Sequence, residues 1–150
     1  YNLANPTNAT TGNGNISVHQ TLVNGNFILN TEANVAQTTS LYNDFSIIFN
    51  YQGSNNYYFA SFNETNDSAT NGIFKVVGGV QTELVDFSPV IIPGTNYSIK
   101  IERTGNTIKA YRDNVLLGTI TDTSFTGGKV GFGTRNDSAT FDNLVVTLIP

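Results

Sequence analysis

Eleven carboxylates and a single imidazole are the side chains with which this chain could move protons, and their placement leaves little of that chemistry open. Nucleophilic catalysis needs a Ser or Cys beside a His. Cys is absent, and the one His, His19, stands alone in an N-terminal stretch. Glycoside hydrolysis needs two carboxylates held roughly 5–10 Å apart. Glu32, Asp44, Glu64, Asp67, Glu83, Asp86, Glu102, Asp113, Asp122, Asp137 and Asp142 are dispersed, and no strand offers such a pair. The chain therefore reads as non-catalytic. One acid raises a separate question. In "ATFDNLVV", residues 139–146, Asp142 interrupts what otherwise looks like a buried strand, where an unpaired carboxylate would be costly. Capping a turn or accepting backbone N–H groups would satisfy it.

Binding chemistry is better supplied. Sugar rings present flat C–H faces to aromatic side chains and hydroxyls to planar polar groups, so a glycan site needs exposed Tyr or Trp among Asn, Asp, Arg and Lys. Trp is absent, but there are seven Tyr. "NNYYFASF" sets Tyr57 and Tyr58 on opposite faces of one strand, so one of them leaves the core side. In "TIKAYRD" the core positions are Ile108 and Ala110, which turns Lys109 and Tyr111 outward together. A Lys beside a Tyr suits an anionic or hydroxyl-rich polymer; an ordinary cross-strand role for Tyr111 fits equally. The candidate contacts are Lys75, Lys109, Tyr111, Arg112 and Arg135, with Tyr57 as the stacking platform. The polar loop "NETNDSATNG", residues 63–72, is a second candidate surface.

Strands must position these groups. Period-two alternation in "DFSIIFNYQ" places Phe45, Ile47, Phe49 and Tyr51 on one inward face, and "YSIKIER" does the same for Tyr97, Ile99 and Ile101. Turn chemistry at Asn24-Gly25, Gly78-Gly79, Gly105 and Asp113-Asn114 tolerates φ > 0 and marks hairpins. Strands are predicted near 15–23, 26–32, 44–51, 56–63, 72–77, 80–86, 95–103, 107–112, 115–120, 129–135 and 140–148, with no helix. That spacing predicts a single all-β domain over residues 1–150, a two-sheet antiparallel β-sandwich. The segment "YNLANPTNATTGNGN" is the part predicted to be mobile by composition.

Composition narrows the partners. A net charge of −4 and a pI of about 4.6 argue against nucleic acid, whose phosphates demand a basic face. All seven basic side chains fall at residue 75 or beyond. No run approaches about 18 apolar residues, so no membrane-spanning helix is predicted, and no signal peptide is visible. The lack of Met suggests a module from a longer protein. The sequons at Asn8, Asn15, Asn63, Asn66, Asn96 and Asn136 carry little weight in so Asn- and Thr-rich a chain.

The succession "LVNGNFILN", "YNDFSIIFNYQ", "NNYYFASF", "NGIFKVVGGVQTELV", "NYSIKIERTGNTIKAYRDNVLLG" and "GGKVGFGTRNDSATFDNLVV" resembles the concanavalin A-like, laminin-G-like jelly rolls. More narrowly, it is similar to the carbohydrate-binding accessory modules of secreted bacterial polysaccharide lyases and glycoside hydrolases. The resemblance runs from about residue 20 onward and is most specific in the C-terminal third. It implies a polysaccharide partner, a covalently linked catalytic domain, secretion, and a monomer. It also implies a structural Ca²⁺ at Asp142 of the final strand, with Gly25 marking the N-terminal turn that supplies backbone oxygens. The Glu-x-Asp-x-x-Glu strand of the superfamily's hydrolases and the Gln-x-His strand of its lyases are both missing. The alternative is a laminin-G-like adhesion or interdomain module that contacts protein.

Overall fold

The computed structural model describes residues 1–4, 14–38, 42–67, 69–135 and 137–150. They form strands β1 (Asn2–Leu3), β2 (Asn15–Val18), β3 (Val23–Asn24), β4 (Asn26–Val35), β5 (Asp44–Gly53), β6 (Asn56–Asn63) and β7 (Gly72–Val77). The remainder are β8 (Val80–Asp86), β9 (Tyr97–Thr104), β10 (Thr107–Arg112), β11 (Val115–Thr121), β12 (Gly127–Thr134) and β13 (Ala139–Ile149). Among the described residues there is no helix, and so none that could cross a membrane. One sheet runs β1-β13-β4-β9-β10-β11 and the other β2-β12-β5-β6-β7-β8, with β3 paired to β12. Every strand pairing is antiparallel. This is the predicted two-sheet sandwich.

The hairpins form where the sequence allows φ > 0. Gly78 and Gly79 adopt φ of 57° and 82°, and Asp113 and Asn114 adopt 51° and 66°; two successive positive values suit a two-residue turn between twisted strands. Between the sheets lies the main core, built from alternating positions such as Phe45, Ile47 and Phe49 of β5, Tyr58, Ala60 and Phe62 of β6, and Ile99, Ile101, Ile108 and Ala110 of β9 and β10. Burying each large side chain contributes roughly 1.5–3 kcal/mol.

The outward face of the β5–β6–β7 sheet is apolar as well. Ile48, Tyr57, Phe59, Phe74 and Val76 form a second buried cluster there, with Ile16, Val18 and Tyr51 packed against it. Phe59 and Phe74, opposite each other in register, stack with centroids 4.9 Å apart and ring planes 10° apart. Two-sided burial explains why β5 and β6 read as nearly continuous hydrophobic runs.

The N-terminal segment is partly tied down. Asn2 and Leu3 pair with Thr140 and Ala139, and the terminal amine of Tyr1 donates to the Phe141 carbonyl at 2.7 Å. The rest of the stretch predicted to be mobile, residues 5–13, lies outside the described residues, as do the sequons at Asn8 and Asn136.

Candidate functional site

Alternation on β5 predicts Tyr51 on the inward face with Phe49. The structure reverses this. Asn50 takes a positive φ of 48°, and the β5–β6 register shifts after Phe49. The bulge re-aims Tyr51 onto the outward face, an effect such irregularities commonly have. There Tyr51 stands directly opposite Lys129 of β12.

These two residues line an open groove of about 470 Å³ together with Leu22, Asn24, Gln52, Thr126, Gly127 and Gly128. Gly128 is a steric requirement: a Cβ there would come within 2.5 Å of the Asn50 carbonyl carbon and 2.7 Å of the Tyr51 nitrogen, whereas one on Gly127 would meet first the exposed Asn24 carboxamide, which can turn away. Bare backbone therefore forms this wall. The polar groups are held in place: Gln52 Nε2 donates to the Gly127 carbonyl at 3.0 Å, and Lys129 Nζ donates to Gln20 Oε1 at 2.9 Å. The acceptor that Lys129 meets is neutral, and among the described residues no acid lines the groove. A half-exposed aromatic ring, carboxamides, a hydroxyl and a cation without a carboxylate make up the donor-rich set expected for a hydroxylated or anionic ring.

The predicted site residues do not come together. Tyr57, the expected platform, is only 2% exposed. It packs behind Tyr51, centroids 5.6 Å apart, and supports that ring in place of offering its own face. Lys109 and Tyr111 do turn outward, as alternation predicts, but on the other sheet, so they share no surface with Tyr57. Tyr111 lies under Lys100, whose Nζ is 3.8 Å from the ring centroid, and Lys109 faces Glu102 at 3.8 Å. Arg112 donates to the carbonyls of Pro89 and Val90 at 3.2 and 2.8 Å, and its guanidinium covers Tyr97. Arg135 donates its backbone N–H to both Asp44 carboxylate oxygens at 3.1 and 3.0 Å.

Lys75 is committed to an ion pair with Asp122 at 2.7 Å and to Ser124 Oγ at 3.1 Å. Burial pushes the Asp122 carboxyl upward, but hydrogen bonds from Lys75, Ser124 and Tyr58 outweigh it and hold the group well below the usual range. The Tyr58 hydroxyl, donating to Asp122 at 2.5 Å, is raised by burial and by that bond. The 63–72 loop is bonded both within itself and to its neighbours: Asn63 Oδ1 accepts from the backbone and hydroxyl of Thr65, Asp67 Oδ1 accepts from Ala69, Glu64 Oε1 accepts from Asn43 Nδ2, and Asn71 Nδ2 donates to the carbonyls of Phe87 and Pro89. Ser68 lies outside the described residues.

Asp142 and Gly25 do not meet. Asp142 opposes Glu32, while Asn26, next to Gly25, opposes Ile149 at the far end of the same strand pair. Seven residue steps of extended chain lead from Gly25 to Glu32, roughly 23 Å, too far for one ion. Asp142 is exposed and accepts the Asn143 N–H at 2.8 Å, so its strand position buries no charge. It does share a groove of about 300 Å³ with Glu32, Asn34, Asn96, Thr140 and Tyr1. Two carboxylates opposed on one face repel each other, and that donor set fits a hard cation.

Sequence comparison matches no protein-family model and no curated protein. Structural comparison does find relatives in shape. The carbohydrate-binding module CBM66 from Bacillus subtilis superposes with a TM-score of 0.75 at 18% identity, covering 86% of this chain and 78% of that one. Sheep galectin-11, solved with glycerol, gives 0.65 at 8% identity over 89% and 98%. The GH43 protein BlXynB from Bacillus licheniformis gives 0.66 at 14% identity, over 97% of this chain but 32% of its own. The chain thus has the jelly-roll sandwich fold that these proteins share.

Proposed function

We propose that this chain is a non-catalytic carbohydrate-binding module whose sugar site is the groove between Tyr51 and Lys129. The observation that carries the reading is the pairing itself: a buttressed aromatic ring opposite a lysine with a neutral partner, in an open groove free of acids. The shape shared with CBM66 and galectin-11 supports it. The absence of a groove carboxylate supports binding without bond cleavage, since both glycosidase geometries need two. Lys129 favours an acidic polymer. That the GH43 protein BlXynB matches over about a third of its length supports a sandwich appended to an enzyme, where tethering raises the local concentration of substrate.

The paired carboxylates of Glu32 and Asp142 would hold the implied Ca²⁺, which would supply charge neutralisation and join β13 to β4. Affinity gels cast with alginate, pectin and neutral polysaccharides test the sugar reading. Retardation in at least one gel is expected; mobility unchanged in all of them would favour the adhesion reading.

A further inference from the structure

The inward face of β9 ends on a cation. Tyr97, Ile99 and Ile101 point into the main core, and the next inward position is Arg103, 1% exposed. Its guanidinium reaches β5 of the other sheet, where Nη1 donates to Asn50 Oδ1 at 2.7 Å. Nε donates to the Gly105 carbonyl at 3.0 Å, and Cζ lies 5.8 Å from the Tyr58 ring centroid. Nη2 is buried with no acceptor, and among the described residues no carboxylate pairs with the group. A buried arginine held by two neutral oxygens is a poor source of stability, since apolar residues of similar volume often serve as well or better.

What the guanidinium does hold is the residue at which β5 changes face. From Ile48 to Tyr51 β5 advances three residues while β12 advances two, from Gly131 to Lys129. From Phe49 to Gly53 β5 advances four while β6 advances two, from Tyr58 to Asn56. Asn50, with its φ of 48°, lies inside both irregular stretches. Strict alternation would put Asn50 outward and Tyr51 inward; the bulge has exchanged them. Asn50 is now 1% exposed, and its side chain's one hydrogen bond among the described residues is the one from Arg103. Arginine only donates, so the carboxamide oxygen must face it. A regular strand would return Tyr51 to the inward side and leave the guanidinium with the Gly105 carbonyl alone.

We propose that Arg103, which does not line the groove, is a positioning residue for it: by drawing Asn50 inward the guanidinium keeps Tyr51 turned out, so a cation in the core sets glycan affinity. The effect on affinity rests on the groove being the sugar site; the effect on the ring does not.

Two readouts keep these apart. NMR of protein with labelled tyrosine rings, the Tyr51 signals identified by Tyr51→Phe, reports the Tyr51–Tyr57 ring contact without sugar. Calorimetry with an oligoguluronate or oligogalacturonate reports affinity. In folded Arg103→Met the ring contact is expected to disappear and affinity to fall about tenfold. Glycine reaches positive φ unaided, so adding Arg103→Met to Asn50→Gly should leave both readouts as they stand in Asn50→Gly alone. A general loss of stability would not produce that rescue. Should Arg103→Met not fold, Asn50→Ala, which keeps the arginine and removes its acceptor, must move the ring, while Asn50→Asp, which keeps an acceptor, must not. An unmoved ring in folded Arg103→Met or in Asn50→Ala, or equal losses from Arg103→Met in the parent and Asn50→Gly backgrounds, would overturn the proposal. A displaced ring in a protein whose parent binds neither oligosaccharide would sustain the role of Arg103 and refute the sugar assignment.

Discussion

Tyr57 lies directly behind Tyr51, ring centroids 5.6 Å apart and planes tilted by 38°, so a buried tyrosine holds a half-exposed one at the rim of the groove. The two rings should separate cleanly under mutation. Tyr51→Ala removes the contact surface and should eliminate glycan retention while shifting stability by no more than about 1 kcal/mol. Tyr57→Ala opens a cavity in the second cluster and should cost about 3–5 kcal/mol. Chemical denaturation beside affinity electrophoresis distinguishes these outcomes.

Lys129 should set charge preference rather than affinity in general. Lys129→Ala is expected to weaken binding to uronate polymers about tenfold or less, to leave neutral polymers nearly unaffected, and to flatten the salt dependence seen with the parent protein. Equal losses on charged and neutral polymers would show that the amine only hydrogen-bonds.

The chain near Tyr51 was legible in outline and misleading in detail. Strand boundaries emerge from turn residues, and Gly78-Gly79 and Asp113-Asn114 do take the positive φ that their identities allow. The face of Tyr51 does not emerge, because a bulge at Asn50 breaks the alternation from which faces are read. Tyr57 illustrates a second limit. With Tyr57 and Tyr58 both buried, on opposite sides of β6, a sequence pattern predicts which face each takes but not that both faces are covered. Gly25 illustrates a third: nearness to Asp142 depends on the β4–β13 register, which no local signal encodes.

Gly128 should tolerate no side chain. Its φ is 147°, and a Cβ would press on the backbone of Asn50 and Tyr51. Gly128→Ala is expected to cost about 2 kcal/mol or more and to displace Tyr51. Loss of binding should therefore accompany a lower Tm, unlike Tyr51→Ala.

Asp122 gives the fold an acid-sensitive ion pair. Its folded pKa is depressed from an ordinary value of 3.8, so its stabilising contribution is complete above that value and fades as pH falls below it. Asp122→Asn should melt below the parent at pH 6, and the two should converge in strong acid. Tyr58 acts at the other extreme: its raised pKa means stability is lost as pH climbs through 10, and Tyr58→Phe should blunt that loss. Parallel melting curves for parent and variant across the whole range would contradict both assignments.

The most direct measurement is calorimetric titration of an acidic oligosaccharide, an oligoguluronate or oligogalacturonate, into the parent protein and into Tyr51→Ala, with circular dichroism confirming that both are folded. Saturable binding to the parent and none to Tyr51→Ala is the predicted result. Equal binding by the two proteins would contradict the assignment of the Tyr51–Lys129 groove.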